Sequence, residues 1–247
     1  MKNLLKVISL CLLIPGIHLC SVGESHAQTT SNFTFGGFVD SYYAFDFNTP
    51  ASRDRAYTTQ PLRHNEFNLN FAFLDAKYTS EKVRARFALG TGTYMISNYA
   101  AEPDLLKNIF EANAGFNISG SWWLDGGIFA SHIGFESAVS KDNWNYSRSL
   151  MADYSPYYES GVKVTGNITD ELTGGFFILN GWQNIRENND DKALGTQLQY
   201  KPTKDILLNW SSFIGNEIAD TDSTSPSQLR IFNDFYAQIA LTESFSV

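Results

Sequence analysis

Arg84 and Arg86 stand on the polar side of a short alternating run whose other side carries Val83, Ala85, Phe87 and Leu89. Side chains two apart on a strand share a face, about 7 Å from one another. Two guanidinium groups so placed can form part of a basic ladder that attracts anions. They can also pair with Asp or Glu on a neighbouring strand, and spacing alone fits both arrangements. The same parity puts Glu111, Asp125, Glu159 and Lys163 on the polar side, with Asp40, Asp46, Gln197, Gln199, Asn209, Asp234 and Gln238. Charges of both signs on one face suit a wet lumen, where they bias the passage of ions. A soluble β-sandwich with that face in solvent would alternate in the same way.

The longest irregular stretch, 134–156, can fold inward and narrow the bore of a barrel, which would place Glu136, Lys141, Asp142 and Arg148 at or near a constriction. The alternative is an exposed external loop. Catalytic patterns are absent: after a predicted leader only His64 and His132 remain, with no cysteine nucleophile, no GxSxG, no phosphate-cradling glycine loop and no metal-ligand spacing. Ser131-His132 is the one adjacent pair, discounted because neighbouring strand residues face opposite ways. Asn188-Asn189-Asp190-Asp191 could hold calcium, although an acidic loop tip in water is the commoner case. No cofactor is indicated.

These side chains need strands to position them, and 157–182 shows the rule most clearly. Tyr158, Ser160, Val162, Val164, Gly166 and Ile168 alternate with Glu159, Gly161, Lys163, Thr165 and Asn167. Thr169, Asp170 and Glu171 turn the chain, and Leu172, Gly174, Phe176, Ile178 and Trp182 resume the apolar face. Two strands of roughly ten residues each match a tilted crossing of a bilayer's hydrocarbon. Tyr157, Tyr158 and Trp182 gather at the open end, where amphipathic rings would sit at a membrane–water boundary.

Other runs follow suit: 33–47, 66–78, 83–94, 107–118, 122–133, 194–200, 206–214 and 230–240, with a last strand beginning at 245–247. Polar turns at 80–82, 119–121, 169–171 and 201–204 alternate with long loops, the asymmetry of outer-membrane barrels with short periplasmic turns and long external loops. In 66–78 the apolar positions change parity after Phe73, which predicts a bulge there. A helical turn is expected near 103–106. The turns entered from Asn117-Ile118-Ser119 and Asn167-Ile168-Thr169 look alike and give a weak hairpin repeat.

Composition sets the class. The first 27 residues, with Lys2 and Lys6 ahead of an apolar run and Ser25-His26-Ala27 at its end, read as a secretory signal peptide. Both cysteines, Cys11 and Cys20, lie in it, so the mature chain has neither thiol nor disulfide. Removing Lys2, Lys6 and Glu24 takes the formal net charge from −8 to −9, which argues against nucleic acid as a partner. After Ala27 no apolar run approaches the length of a spanning helix, so a membrane reading requires a closed barrel.

Several local motifs carry a resemblance: Gly36-Gly37-Phe38-Val39-Asp40-Ser41-Tyr42-Tyr43, Gly134-Phe135-Glu136, Tyr146-Ser147-Arg148-Ser149, Ser155-Pro156-Tyr157-Tyr158, Asn180-Gly181-Trp182, Lys201-Pro202-Thr203 and Gly215-Asn216-Glu217. With these the mature chain resembles the beta-barrel porin-2 family, the outer-membrane-porin-L-like proteins. The resemblance implies an outer-membrane channel for passive transport of small solutes. Members are usually longer, which leaves strand count and pore size open.

The expectation is therefore an all-β, antiparallel transmembrane β-barrel, about ten strands of an incomplete barrel at 28–247, in a Gram-negative outer membrane. Its partners would be membrane lipid and small hydrophilic solutes or ions, with a homo-oligomer left open. The competing classes are a secreted all-β carbohydrate-binding protein and a plugged structural or adhesive barrel.

Overall fold

The computed structural model describes residues 32–220, 227–243 and 245–247. The predicted signal peptide at 1–27 lies outside the described residues. Eleven strands follow one another around a single antiparallel sheet: β1 (Phe33–Tyr43), β2 (Phe67–Thr79), β3 (Val83–Thr91), β4 (Ile109–Ser119), β5 (Trp122–Ala130), β6 (Tyr158–Asn167), β7 (Leu172–Leu179), β8 (Ala193–Thr203), β9 (Ile206–Asn216), β10 (Leu229–Thr242) and the two-residue β11 (Phe245–Ser246). Each strand pairs with its sequence neighbours. Among the described residues no pairing joins β1 to β10 or β11, so the sheet is not closed, as in an incomplete barrel.

Period-two sequence sorts the side chains onto two faces, and the sorting is inverted relative to a water-soluble sheet. Leu74 is 76% and Phe235 72% exposed on the outer face, joined by Phe35, Val39, Phe87, Phe116, Phe176, Leu208 and Ile231. On the inner face Asp125 is 2% and Glu159 0% exposed, with Asp40, Asp75, Glu111, Asn209, Ser211 and Asp234 also buried. An apolar outside and a charged inside is what a wall between hydrocarbon and water requires. Between neighbouring strands the backbone is satisfied by ladder hydrogen bonds, as hydrocarbon demands, and the two edges of the open sheet are the exception.

Connections are also sorted by end. The β2–β3, β4–β5, β6–β7 and β8–β9 turns are short, whereas those after β1, β3, β5, β7 and β9 are long and carry the helices α1 (Thr93–Asn98) and α2 (Leu150–Asp153). The look-alike turns close the successive β4–β5 and β6–β7 hairpins.

Two expectations need correction. The β2 bulge falls at Asn70, where the register skips from Phe71 to Leu69 opposite Asp40 and Ser41, and not after Phe73. A second skip in β4 passes over Phe110. Phe71, Phe73 and Phe110 therefore pack inside with Phe38 and Tyr94, because long loops fold in and cover them. The helical turn expected at 103–106 is present as a single turn, with Leu106 and Lys107 N–H both donating to the Pro103 carbonyl, and a further helix, α1, forms earlier in the same loop. The aromatics at the open end of the β6–β7 hairpin form no lipid-facing belt. Tyr158 stacks on Tyr99 at 4.0 Å and donates to Glu102, while Trp182 packs on Phe213 and Phe232 under Arg230.

Candidate functional site

The inner wall carries two charge clusters, both placed by strand register. Opposite Gly115 of β4, Asp125 on β5 accepts from Arg84 Nε of β3 at 2.7 Å, and Arg84 also lies over Trp123. The short glycine lets an arginine two strands away reach across: a Cβ at Gly115 would meet Asp125 Oδ1 at 2.2 Å. Arg86 bridges Asp75 of β2, at 3.2 Å, and Glu111 of β4, and Lys77 Nζ is 3.3 Å from Asp75. Both arginines are thus ion-paired across strands, and no run of bare cations stands between them. Lys163 on β6 sits 4.2 Å from the Phe129 ring.

Residues 131–157 do not project away from the sheet. They leave β5, cross the concave face, and come back to β6. At the root, Ser131 Oγ donates to Glu159 Oε1 at 3.1 Å and His132 Nδ1 lies 2.9 Å from Glu159 Oε2. Next, Gly134 N–H donates to Asp234 of β10 at 3.0 Å, and Phe135 packs on Tyr236. Farther on, Ser140 Oγ and Tyr146 OH donate to Asp40 of β1 at 2.8 and 3.1 Å, and Asn70 Nδ2 donates to the same carboxylate at 2.7 Å. The segment, here called the strap, therefore touches both edges of the open sheet.

Between the strap and the wall of β1–β4 and β10 lies a cavity of about 1110 Å³, lined by Asp75, Arg86, Glu111, Glu136, Lys141 and Asp142 among others. Three of the four residues expected near a constriction face it. Arg148 does not line it: buried over the Tyr157 ring at 3.8 Å, it donates to Thr59 at 3.0 Å and lies 3.4 Å from Asp153. Burial and the neighbouring Asp153 carboxylate push the Tyr157 phenol well above its ordinary pKa, against the pull of Arg148, so it remains a neutral donor to Asp153. Glu136 accepts from Ser149 N–H at 2.9 Å and so helps fix α2.

Several residues here went unrecognised in the sequence. Asp75 lies between the outward Leu74 and Ala76, so the parity change in β2 puts it on the inner face whether the bulge is at Asn70 or after Phe73, and its pairing with Arg86 went unread. Asp40 and Asp234 are read as inward by parity, yet nothing local marks them as strap anchors. Ser131 and His132 both reach Glu159, because β5 ends at Ala130 and the facing rule for strand neighbours no longer applies. The trio cannot run a nucleophile relay: Ser131 donates to the carboxylate and not to the imidazole, whose Nε2 is occupied by the Ser212 carbonyl at 2.9 Å. In the 188–191 loop, Asn189 Nδ2 donates to the carbonyls of Asn216 and Ile218, and Asp191 accepts from Asn216, so these groups tie the loop to the end of β9. Among the described residues no group of three metal-ligating acids, histidines or cysteines comes together.

The family model described as Putative beta-barrel porin-2, OmpL-like, matches residues 32–247. The chain belongs to that family. The match covers all eleven strands and the strap, so the apolar outer face and charged inner face described above are those of a porin-type β-barrel wall. Neither a curated protein nor a solved structure matches the chain significantly.

Proposed function

We propose that this porin-family chain forms an outer-membrane channel through which small hydrophilic solutes or ions diffuse passively, without chemistry. The observation that carries the reading is the inversion of polarity across one sheet, with exposed aromatics and aliphatics outside and paired charges facing a 1110 Å³ cavity inside. A soluble carbohydrate-binding sandwich would hide the apolar face and wet the polar one. The pore-lining groups would be Arg84, Arg86, Glu111, Asp125 and Lys163, with Glu136, Lys141 and Asp142 narrowing the path from the strap, whereas Glu159, fully buried against Ser131 and His132, would hold the strap root. Export would follow from cleavage of the leader after Ala27, read out by the N-terminal mass of the exported protein.

Planar-bilayer recording from the refolded mature chain under a salt gradient tests the reading. Discrete ohmic steps are expected, and the reversal potential reports the sign of the dominant wall charges. A second reading, a plugged structural barrel, draws on the strap lying across the concave face. It predicts stable membrane insertion without current.

A further inference from the structure

One side chain at the root of the strap is held from four strands at once. His132 is 4% exposed and stacks on Phe177 of β7 at 4.1 Å. A Cβ at Gly195 of β8 would come within 2.6 Å of its Cε1, so the glycine opens the slot that the ring fills. Nδ1 faces Glu159 Oε2 on β6 and Nε2 faces the Ser212 carbonyl on β9, each at 2.9 Å. The His132 carbonyl in turn accepts from Gln197 Nε2 and Ser211 Oγ, both at 2.8 Å. A neutral imidazole has one N–H, whereas both nitrogens here meet oxygen acceptors. With Glu159 as a carboxylate only the imidazolium satisfies both, and in the neutral ring a lone pair would then confront an acceptor in a buried slot.

We infer that His132 is a positioning residue for the constriction: as an imidazolium shared between Glu159 and the Ser212 carbonyl, it clamps the strap root to the inner wall, and its deprotonation loosens that root and widens the bore, while the anchors at Asp40 and Asp234 stay in place. The clamp rests on this geometry alone, and its effect on the bore rests on the channel reading. The charged groups around it are Glu159 and Lys163 on β6 and Asp234 on β10, the last held by Gly134 N–H. From β7, β8 and β9 the packed residues are neutral: Phe177, Gly195, Gln197, Ser211 and Ser212. Burial by itself lowers the imidazole's pKa, and Lys163 adds to that. Hydrogen bonding to Glu159, its charge and the Ser212 carbonyl outweigh both and raise it above the ordinary histidine value. A pKa raised by folding means that the clamp is whole at and below the ordinary histidine pKa and is lost as pH climbs through the raised one.

The test uses the refolded mature chain in micelles and in planar bilayers. Ring ¹⁵N signals of His132 should show both nitrogens protonated at neutral pH, and a neutral tautomer there would overturn the clamp. Single-channel conductance, scanned from about pH 5 to about pH 9, should step upward on the alkaline side. In His132→Gln it should be high throughout, and in Glu159→Gln the step should move to lower pH by about one unit or more. A flat wild-type profile, or a step that persists in His132→Gln, would refute the release. Trypsin cleavage at Lys141 gives a readout independent of current: faster cutting in His132→Gln and in Gly195→Ala supports the clamp, and unchanged cutting in both refutes it. If no current flows at any pH, the channel reading fails, while ring protonation and cleavage still decide the clamp.

Discussion

The two halves of the inner wall use the same strand chemistry to opposite ends. Along β1–β4, the bulge at Phe110 and the triad of Asp75, Arg86 and Glu111 border open space. Along β6–β9, Phe177, Leu179, Ala193 and Phe213 pack with Ile133, and His132 fills the remaining slot. Charge borders the void on one side, and the strap root seals the other. On the channel reading proposed above, the contrast would put the solute route along β1–β4 and make the β6–β9 half an abutment for the strap.

Removing the strap is the most direct way to break that asymmetry. Replacing residues 137–148 by a short Gly-Ser linker should raise single-channel conductance severalfold, and unchanged conductance would mean that the strap obstructs nothing. A sharper comparison puts a large ring on each half. Thr34→Trp, in the cavity wall, should cut conductance strongly, whereas Thr173→Trp on β7 should leave it nearly unchanged. Equal effects would erase the distinction.

Arg86→Met tests the charged half by itself. It leaves Glu111 with only the amide of Asn113 and Asp75 with Lys77 as its ion-pair partner, at a cost of about 3 kcal/mol in urea unfolding, and it should shift the reversal potential toward cation preference. The smallest effect is expected at the loops. Tyr158→Phe removes the donor to Glu102, which also accepts from Ile185 N–H at 2.7 Å, and should cost about 1 kcal/mol without moving the conductance.

How much of this was legible depended on whether apolar and outward meant the same thing. In β3 and β6 they do, and parity alone placed Arg84, Arg86, Glu159 and Lys163 inside. In β2 and β4 they do not. Phe71, Phe73 and Phe110 are apolar and inward because α1 and the strap cover them, so counting apolar positions misplaced the β2 bulge. Tyr157, Tyr158 and Trp182 failed for a related reason: a ring at a strand end has the same sequence signature whether it meets lipid or a folded-over loop. Gly92 ahead of α1 offers no side-chain cap, which hid the helix. The strap's anchors were invisible because Asp40 and Asp234 gain their meaning only from hydroxyls and amides distant in sequence.

That distance sets an order of events. Ser140 and its acceptor Asp40 are 100 residues apart, and so are Gly134 and Asp234, so the strap lies midway between the edges it joins. The first contact waits on the hairpins of β1–β5 and the second on those of β6–β10, because distant closures follow local ones in chain assembly. During insertion the wall would thus stand as a wide, unobstructed arc, and the narrowing of its bore would come at the end, when the middle of the chain falls into place between its two flanks.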